Sequence, residues 1–367
     1  MSRIVQVANF VTPTSGGLRT TLAQLADGYS RAGHDVVQVL PGERDAVEET
    51  AWGTRVLVAA TSVPGTGYRV MLGTQRVQDT LAALSPDVLE VHDRTTLRSL
   101  GAWAARQHLP SLVVSHERLD RWLQQWLPRR LPLASVADRS NAGLASSFDT
   151  VVCTTSWAAQ EFARLAVTNL RTVPLGVDLE QFQPRLHRKP GPGFQLVMVS
   201  RLSREKRPEL AVETVRELCR RGVPVQLVVA GDGPMRGHLE ALAHGLPVEW
   251  RGFVSDRREL AALMAGADVV LAPGPVETFG LAALEALACG TPVVVNRHSA
   301  LPEVVGDAGR SAASSGFVFA DAVLELLTVD EPVRRRAARL RAEQFTWDAT
   351  VRGFLDVHRL APVRLAS

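Results

Sequence analysis

The sequence has few cysteines, few aromatic residues and no long hydrophobic segment. Its cysteines, Cys153, Cys219 and Cys289, lie in apolar or helical runs without the spacing of metal ligands. That pattern predicts reduced thiols in a cytoplasmic protein. No apolar run is long enough to cross a bilayer, and the N-terminus enters a strand-like run without a signal-peptide core. These absences argue against a disulfide-rich secreted domain and against a membrane-spanning protein.

The charge balance is nearly even. The 367 residues include 41 Lys and Arg against 38 Asp and Glu, for a formal charge of +3. So small an excess does not suggest a nucleic-acid-binding protein, and it suits anionic partners such as sugar nucleotides or lipid head groups. The length, with a hydrophobic content of 46%, is sufficient for two globular domains.

The first half of the chain alternates short apolar runs with helical patterns. This alternation is typical of a parallel sheet with crossover helices, so it predicts an α/β fold. The predicted strands are at 4–8, 36–40, 56–59, 88–91, 112–115 and 150–153, and the predicted helices are at 18–32, 75–84, 97–107 and 158–165.

The most informative stretch is 277–295, which follows a strand-like run at 267–272 and a loop rich in Pro and Gly. It predicts a helix from 281 to 288 that ends before Gly290, with Thr278 as its cap. The helix is apolar on every side except at Glu285, so it should be buried. A lone carboxylate in such a helix costs several kcal/mol unless a partner hydrogen-bonds it.

Glu277 and Glu285 flank the predicted tip of this helix. The backbone N–H groups of Phe279, Gly280 and Leu281 lie between the two acids, and a helix N-terminus suits a phosphate. This order matches a nucleotide sugar, in which Glu277 would contact the sugar, the helix tip the diphosphate and Glu285 the ribose. The alternative is a buried helix in which Glu285 pairs with a core arginine and Glu277 is solvated.

Two cations stand after the predicted strand at 194–199. Arg201 and Lys206 are a natural pair to neutralise a diphosphate, the arginine by a bidentate contact and the lysine as a point charge. A solvated run of charges is the alternative. A second strand-like run, at 225–230, leads into a tight turn that begins at Gly231.

The stretch 277–295 resembles the signature E-[ST]-F-G-L-x-x-x-E-A-L-A-x-G-x-P-V-V of the family-four retaining glycosyltransferases. Two further phrases match: G-V-D-x-x-x-F-x-P at 176–184, and G-R-L-x-x-x-K-G at 200–207, where Ser200 and Arg207 depart from the pattern. The resemblance spans nearly the whole chain and is strongest after Gly193.

The resemblance implies the GT-B fold, an α/β architecture of two Rossmann-like domains facing a central cleft, with a C-terminal helix that crosses back to the first domain. The implied boundaries are an acceptor-binding domain at 1–184, a nucleotide-sugar-binding domain at 193–345 after a linker, and the C-terminal helix at 346–367.

The resemblance also implies an activity, which is transfer of a hexosyl group with retention from a nucleotide diphospho-sugar to an acceptor hydroxyl. The chain looks most like bacterial GDP-mannose-dependent α-mannosyltransferases, with a UDP-sugar donor as the alternative. No Asp-x-Asp motif stands near the diphosphate site, so neither a metal nor another cofactor is expected. The implied catalytic residues are His116, Glu277, Arg201 and Lys206, and the implied donor-binding residues are Gly16, Gly17, Gly231, Val254, Thr278, Phe279, Gly280, Leu281 and Glu285.

Several of these residues also have plainer interpretations. His116 ends a predicted strand and could be structural, although the resemblance implies a hydrogen bond to the transferred sugar. Gly16 and Gly17 either let the backbone approach the diphosphate or serve a turn with positive φ. Asp93 could line the acceptor pocket.

The acceptor is open at this point, and it could be a lipid, a glycan or a small metabolite. The run 121–130 mixes Trp and Leu with Arg. It could pack on the first domain, form a platform for a sugar acceptor, or meet the inner face of a membrane.

Three rival activities are compatible with the same motifs. A sugar-nucleotide epimerase of the GT-B fold would act without an acceptor. A phosphorylase would need orthophosphate, and a non-catalytic binder would neither transfer the sugar nor hydrolyse the donor.

Overall fold

The computed structural model describes residues 1–12, 16–64, 67–126, 133–184 and 193–360. The chain divides into two compact units, one formed by Met1–Leu175 with Trp347–Ser367 and the other by Gly176–Thr346. The predicted boundary at residue 184 stays a prediction, and in the structure the residues from Gly176 onward belong to the second unit.

The first unit is built on an eight-stranded sheet with the order β10-β9-β8-β7-β1-β2-β4-β3. Its described strand pairs are parallel except β3 with β4. β5 and β6 form a separate antiparallel pair. The strands are β1 Arg3–Val7, β2 Asp35–Gly42, β3 Ala46–Thr50, β4 Gly53–Ala59, β5 Thr61–Ser62, β6 Arg69–Val70, β7 Val88–Val91, β8 Ser111–Ser115, β9 Thr150–Cys153 and β10 Leu170–Thr172. The helices are α1 Gly17–Arg31, α2 Thr74–Leu84, α3 Ser99–Arg106, α4 Leu119–Trp126, α5 Leu133–Ser147 and α6 Ser156–Ala163.

The central strands of this sheet are apolar because both of their faces are covered. Ile4, Val5 and Val7 of β1 are fully buried. Two polar side chains interrupt the pattern, Gln6 on β1 and Glu90 on β7, which stand opposite each other in the register of the sheet. Both are fully buried, and the Gln6 amide donates to the Glu90 carboxylate over 2.9 Å.

The second unit has a six-stranded parallel sheet with the order β13-β12-β11-β14-β15-β16. The chain order reverses between β11 and β14, and ligands bind at the carboxyl ends of strands where such a reversal occurs. The strands are β11 Phe194–Val199, β12 Val225–Ala230, β13 Val248–Gly252, β14 Val269–Ala272, β15 Val293–Asn296 and β16 Arg310–Ala312. The helices are α7 Glu209–Arg220, α8 Arg236–Leu242, α9 Arg257–Gly266, α10 Leu281–Ala288, α11 Leu301–Val305, α12 Gly316–Leu327 and α13 Glu331–Ala342, with 3-10 turns at Arg204–Lys206 and Gly306–Ala308.

The last helix, α14 Trp347–His358, belongs to the first unit. The Thr350 hydroxyl donates to the carbonyl of Pro174 over 2.8 Å, and Asp348 lies 3.6 Å from the guanidinium of Arg31 on α1. The C-terminal helix therefore returns to the N-terminal part of the chain, which confirms that prediction.

Two local expectations need correction. The sequence pattern predicts one helical region from about 320 to 343, but the structure has two helices there. The chain breaks between Leu327 and Glu331 and restarts with Pro332 in the first turn of α13. The sequence analysis also did not predict β3, an edge strand that contains Glu48 and Glu49 and pairs antiparallel with β4.

Part of the Trp-rich and Arg-rich run lies outside the described residues, namely 127–130 and the side chains of Trp122, Gln125 and Trp126. Most of the predicted linker, 185–192, lies outside them as well. Within the described ranges, no helix is both long enough and apolar enough to cross a membrane.

Candidate functional site

Two loops of the second unit meet at the carboxyl ends of β11 and β14. The first holds Lys206 and the second holds Glu277, and the Lys206 Nζ lies 2.6 Å from the Glu277 Oε1. About a quarter of each side chain is exposed, 28% and 24%. The structure therefore brings together a predicted diphosphate ligand and a predicted sugar ligand as an ion pair.

The loop that carries Glu277 is fastened to the next strand. The fully buried Asn296, at the end of β15, donates from its amide to the carbonyl of Pro273 over 2.9 Å and to the Ser314 hydroxyl over 2.9 Å. The backbone N–H of Ala300 donates to the carbonyl of Glu277 over 2.8 Å. These bonds fix the loop at both ends.

Helix α10 begins at Leu281, two residues later than a cap at Thr278 would place its start. Gly280 is the capping residue, with a left-handed φ of +80°. Thr278 is therefore not the cap, and this prediction was wrong. A side chain at position 280 would place its Cβ 2.2 Å from the Cδ2 of Leu301. Glycine is required here for both its conformation and its size.

The first turn of α10 directs its unbonded N–H groups away from the helix, as every helix N-terminus does. Phe279, just before it, is buried and packs edge-on against Phe345, with ring centroids 6.0 Å apart. The far end of the helix is as predicted, since Gly290 follows it with φ of +74°.

Glu285 is buried on the flank of α10 and is paired with Arg257 of α9. The Arg257 guanidinium lies 2.7 Å from the Glu285 Oε1 and stacks on the ring of Phe182, 4.9 Å from its centroid. Burial raises the pKa of the Glu285 carboxyl, against the opposing charge and hydrogen bond of Arg257. The arginine side chain is 41% exposed, so Glu285 faces a partly solvated cation and not a core arginine.

Three other predicted site residues lie on loops of the same unit. Arg201 follows β11 and is exposed, and Val254 follows β13 and is partly buried. Gly231 follows β12 with φ of +151°, where a Cβ would stand 1.9 Å from the carbonyl oxygen of Ser200. That close approach explains the glycine at the turn.

His116 lies in the first unit, immediately after β8. Its Nε2 is 2.9 Å from the Nδ1 of His92, and the two rings stack with centroids 5.2 Å apart. Burial and the neighbouring His92 lower the pKa of His116 to about 3, against the opposing charge of Glu90. His116 is therefore neutral at physiological pH.

Gly16 and Gly17 do not have the backbone conformation that one of their two interpretations, a turn with positive φ, requires. Gly16 caps α1 with φ of −84°, and Gly17 is its first helical residue. Neither has a positive φ, so that interpretation was wrong. A Cβ on Gly16 would meet no atom within 4 Å, which leaves open space at the helix start.

Asp93 is a structural residue of its loop. Its carboxylate accepts bonds from the backbone N–H groups of Thr95 and Thr96 over 2.8 and 3.1 Å, and from both threonine hydroxyls. The amide of Asn9 adds a bond of 3.3 Å. Internal donors thus surround the carboxylate, which argues against the suggested place in an acceptor pocket.

The sequence reasoning missed three residues that contact a predicted site residue or its loop, namely Arg257, Asn296 and His92. Asn296 ends an apolar strand and His92 follows one, which is a usable signal. No sequence pattern indicated Arg257, because its partner, Glu285, lies 28 positions away on another helix. Among the described residues, no group of three or more His, Cys, Asp or Glu side chains is arranged to hold a metal ion.

Two family models together match most of the chain. One, described as Glycosyltransferase Family 4, matches residues 15–181. The other, described as Glycosyl transferases group 1, matches residues 180–337.

The similar proteins include full-length relatives and solved structures. The chain is 48% identical over 364 residues to a GDP-mannose-dependent alpha-(1-6)-phosphatidylinositol dimannoside mannosyltransferase of Mycobacterium tuberculosis, covering 96% of this chain and 95% of the relative. It is 28% identical to a D-inositol 3-phosphate glycosyltransferase of Xylanimonas cellulosilytica, covering 96% and 94%. Sucrose-phosphate synthase of Thermosynechococcus elongatus has a similar structure, with a TM-score of 0.80 at 20% identity over 98% of both chains.

Proposed function

We propose that this chain, which belongs to glycosyltransferase family 4, transfers a mannosyl group from GDP-mannose to a hydroxyl group of a lipid-linked mannoside. The chain has the GT-B fold and is a glycosyltransferase that uses a nucleotide sugar. The observation that carries the choice of donor is the 48% identity, over nearly the full length, to a GDP-mannose-dependent mannosyltransferase. The same relative supports a phosphatidylinositol dimannoside, or a closely related glycolipid, as acceptor.

Lys206, Arg201 and the N-terminus of α10 would bind the diphosphate. Two cations and a helix N-terminus supply preorganised positive charge where negative charge develops as the diphosphate leaves. Because Lys206 is bonded to Glu277 in the structure, an arriving diphosphate competes with that carboxylate for the lysine. Once the lysine turns to the diphosphate, Glu277 can accept hydrogen bonds from the sugar hydroxyls.

Glu285 would bind the ribose hydroxyls. Its Oε1 is engaged by Arg257, so that the arginine orients the carboxylate and favours its ionised form. An ionised carboxylate accepts the two hydroxyl hydrogens of a ribose, which a protonated one does less well.

We further propose that the reaction retains the anomeric configuration and needs no metal ion. The two cations and the helix N-terminus would take over the charge neutralisation that a metal supplies elsewhere. The acceptor proton would pass to the leaving diphosphate, so no protein nucleophile is assigned.

A lipid-linked acceptor requires the protein to reach a membrane surface. We therefore propose a peripheral protein on the cytoplasmic face of the membrane, which binds the head group of the acceptor and leaves its acyl chains in the bilayer.

The test is a transfer assay with phosphatidylinositol dimannoside in detergent and one donor at a time: GDP-mannose, UDP-glucose or ADP-glucose. We expect product from GDP-mannose alone, with the new linkage in the α configuration by NMR, and the same rate in EDTA. Product from a UDP-sugar instead would overturn the donor, and loss of activity in EDTA that Mg²⁺ restores would overturn metal independence.

The matched variants are Glu277→Gln and Glu240→Gln, since Glu240 is an exposed glutamate of the same unit. Glu277→Gln should lower kcat by roughly a hundredfold, in the range found when one preorganised contact to a transition state is removed. Glu240→Gln should behave as wild type. Equal activity of the two variants would remove Glu277 from the site.

A further inference from the structure

Arg207 stands directly after Lys206 and has a backbone conformation that is unusual for an arginine. Its φ of +49° and ψ of +46° lie in the left-handed region. Glycine adopts this region readily, whereas a side chain disfavours it. The phrase G-R-L-x-x-x-K-G has glycine at this position, where the present chain has an arginine. Residues held in such a conformation cluster at active sites and in ligand-binding loops, so the side chain of Arg207 needs an explanation.

Hydrogen bonds on both sides of Arg207 hold its backbone in this conformation. Its N–H donates to the carbonyl of Arg204 over 3.2 Å, and its own carbonyl accepts from the N–H of Leu210 over 3.1 Å. Arg207 therefore lies in a fixed turn between the 3-10 turn at Arg204–Lys206 and the start of α7. Because this turn follows β11, it stands at the carboxyl end of a strand in a parallel sheet, where such sheets bind ligands.

The side chain of Arg207 is held at one of its three nitrogens. Its Nε pairs with the Oε1 of Glu209, in the first turn of α7. Its terminal nitrogens, Nη1 and Nη2, make no hydrogen bond to the residues that the structure describes, and 40% of the side chain is exposed. A guanidinium held in this way presents its two terminal nitrogens as a fork, which matches two oxygens of a phosphate group.

The loop of Arg207 is also the loop of the proposed diphosphate ligand Lys206. The Lys206 Nζ lies 2.6 Å from the Glu277 Oε1, and a Cβ on Gly274 would lie 3.5 Å from the Lys206 Cα, so the two loops are in close contact. A nucleotide diphosphate brings several negative charges to this edge of the sheet. A second cation beside Lys206 would help to balance them through charge-assisted hydrogen bonds.

We propose that Arg207 is a further ligand of the donor diphosphate and contacts its phosphate oxygens through Nη1 and Nη2. The inference rests on the proposed function, which assigns the diphosphate to the loop of Lys206. It adds a ligand that the family phrase lacks, because glycine at this position has no side chain. It therefore predicts tighter binding of the diphosphate than a glycine at position 207 allows.

The test is calorimetric binding of GDP to the full chain and its variants. Arg207→Gly should fold, because glycine suits the left-handed backbone, and a melting curve checks this. We expect it to weaken GDP binding about ten- to a hundredfold, as for lost hydrogen bonds to a charged group. Arg207→Lys keeps the charge but not the fork, so its GDP affinity should fall between those of Arg207→Gly and the wild type. Arg207→Asn also tolerates the left-handed conformation, and it serves if Arg207→Gly does not fold.

Arg220→Gln is the matched control. Arg220 is an exposed arginine that pairs with a glutamate at the far end of the same helix, α7. The variant removes the same charge and should bind GDP as the wild type does. Wild-type GDP affinity in Arg207→Gly, or an equal loss in Arg220→Gln, would overturn the inference. A wild type that binds UDP and not GDP would contradict the proposed donor, and the same comparison made with UDP would then decide the role of Arg207.

Discussion

Gly280→Ala gives a quantitative test of the N-terminus of α10. Position 280 has φ of +80°, and an added Cβ would stand 2.2 Å from the Leu301 Cδ2. The left-handed conformation costs an alanine about 1–2 kcal/mol, and the lower entropy of the unfolded chain returns about 0.4–1 kcal/mol of this. The steric overlap adds about 1–3 kcal/mol, as overpacking of a filled core does. The total loss of stability is about 1–4.5 kcal/mol.

Gly222→Ala is the matched control. Its φ of +75° is nearly the same, but a Cβ there meets no atom within 4 Å. It should cost only the conformational part, about 0–1.5 kcal/mol. Calorimetry of the full chain should therefore show a decrease in the melting temperature of about 3–14 °C for Gly280→Ala and clearly less for Gly222→Ala. Equal decreases would refute the proposed contact between position 280 and Leu301.

The remaining predictions concern titratable groups. The pKa of His116 is lowered to about 3 from an ordinary 6.5, so its contribution to stability is complete above pH 6.5 and is lost as the pH falls toward 3. Urea titrations should thus show that the free energy of unfolding falls less steeply between pH 6.5 and 3 for His116→Gln than for the wild type, by about 1.4 kcal/mol per pH unit. The same pH dependence of stability in both proteins would contradict the lowered pKa of His116. Arg257→Ala should raise the pKa of Glu285 further, so calorimetry should show weaker GDP binding at pH 6 than at pH 8. The exposed Arg258→Ala is the control and should leave the pH dependence of GDP binding unchanged. The same unchanged dependence in Arg257→Ala would show that the Glu285–Arg257 pair has no part in nucleotide binding. Iodoacetamide should label the exposed Cys219 in the native protein and the two buried cysteines only after unfolding, as mass spectrometry can show.

The arrangement of strands and helices could be predicted because the physics behind it is local. Buried parallel strands must be apolar runs, and β7 at Val88–Val91 and β9 at Thr150–Cys153 have the predicted bounds. Helix α10, at Leu281–Ala288, was predictable from its apolar surface and from Gly290 beyond its end. The donor-site assignments came from the family resemblance, and their roles stay predictions.

The misses arose from contacts between residues distant in the sequence. Gly280, and not Thr278, caps α10, with a left-handed φ and a close approach to Leu301 that no local pattern reveals. The pairing of Glu285 with Arg257 depends on how α9 packs beside α10. The contact of His92 with His116 needs β7 and β8 to be adjacent, which no local pattern in either strand reveals.

The most direct test of the central claim is thermal unfolding with GDP, UDP or ADP, each at about 100 times its expected Kd. Saturation at that level stabilises the binding unit by about 2.7 kcal/mol. For a unit of the size of Gly176–Thr346, this raises the melting temperature by roughly 5–10 °C. The account predicts this shift with GDP and little shift with UDP or ADP. A shift with UDP alone, or with none of the three, would contradict it.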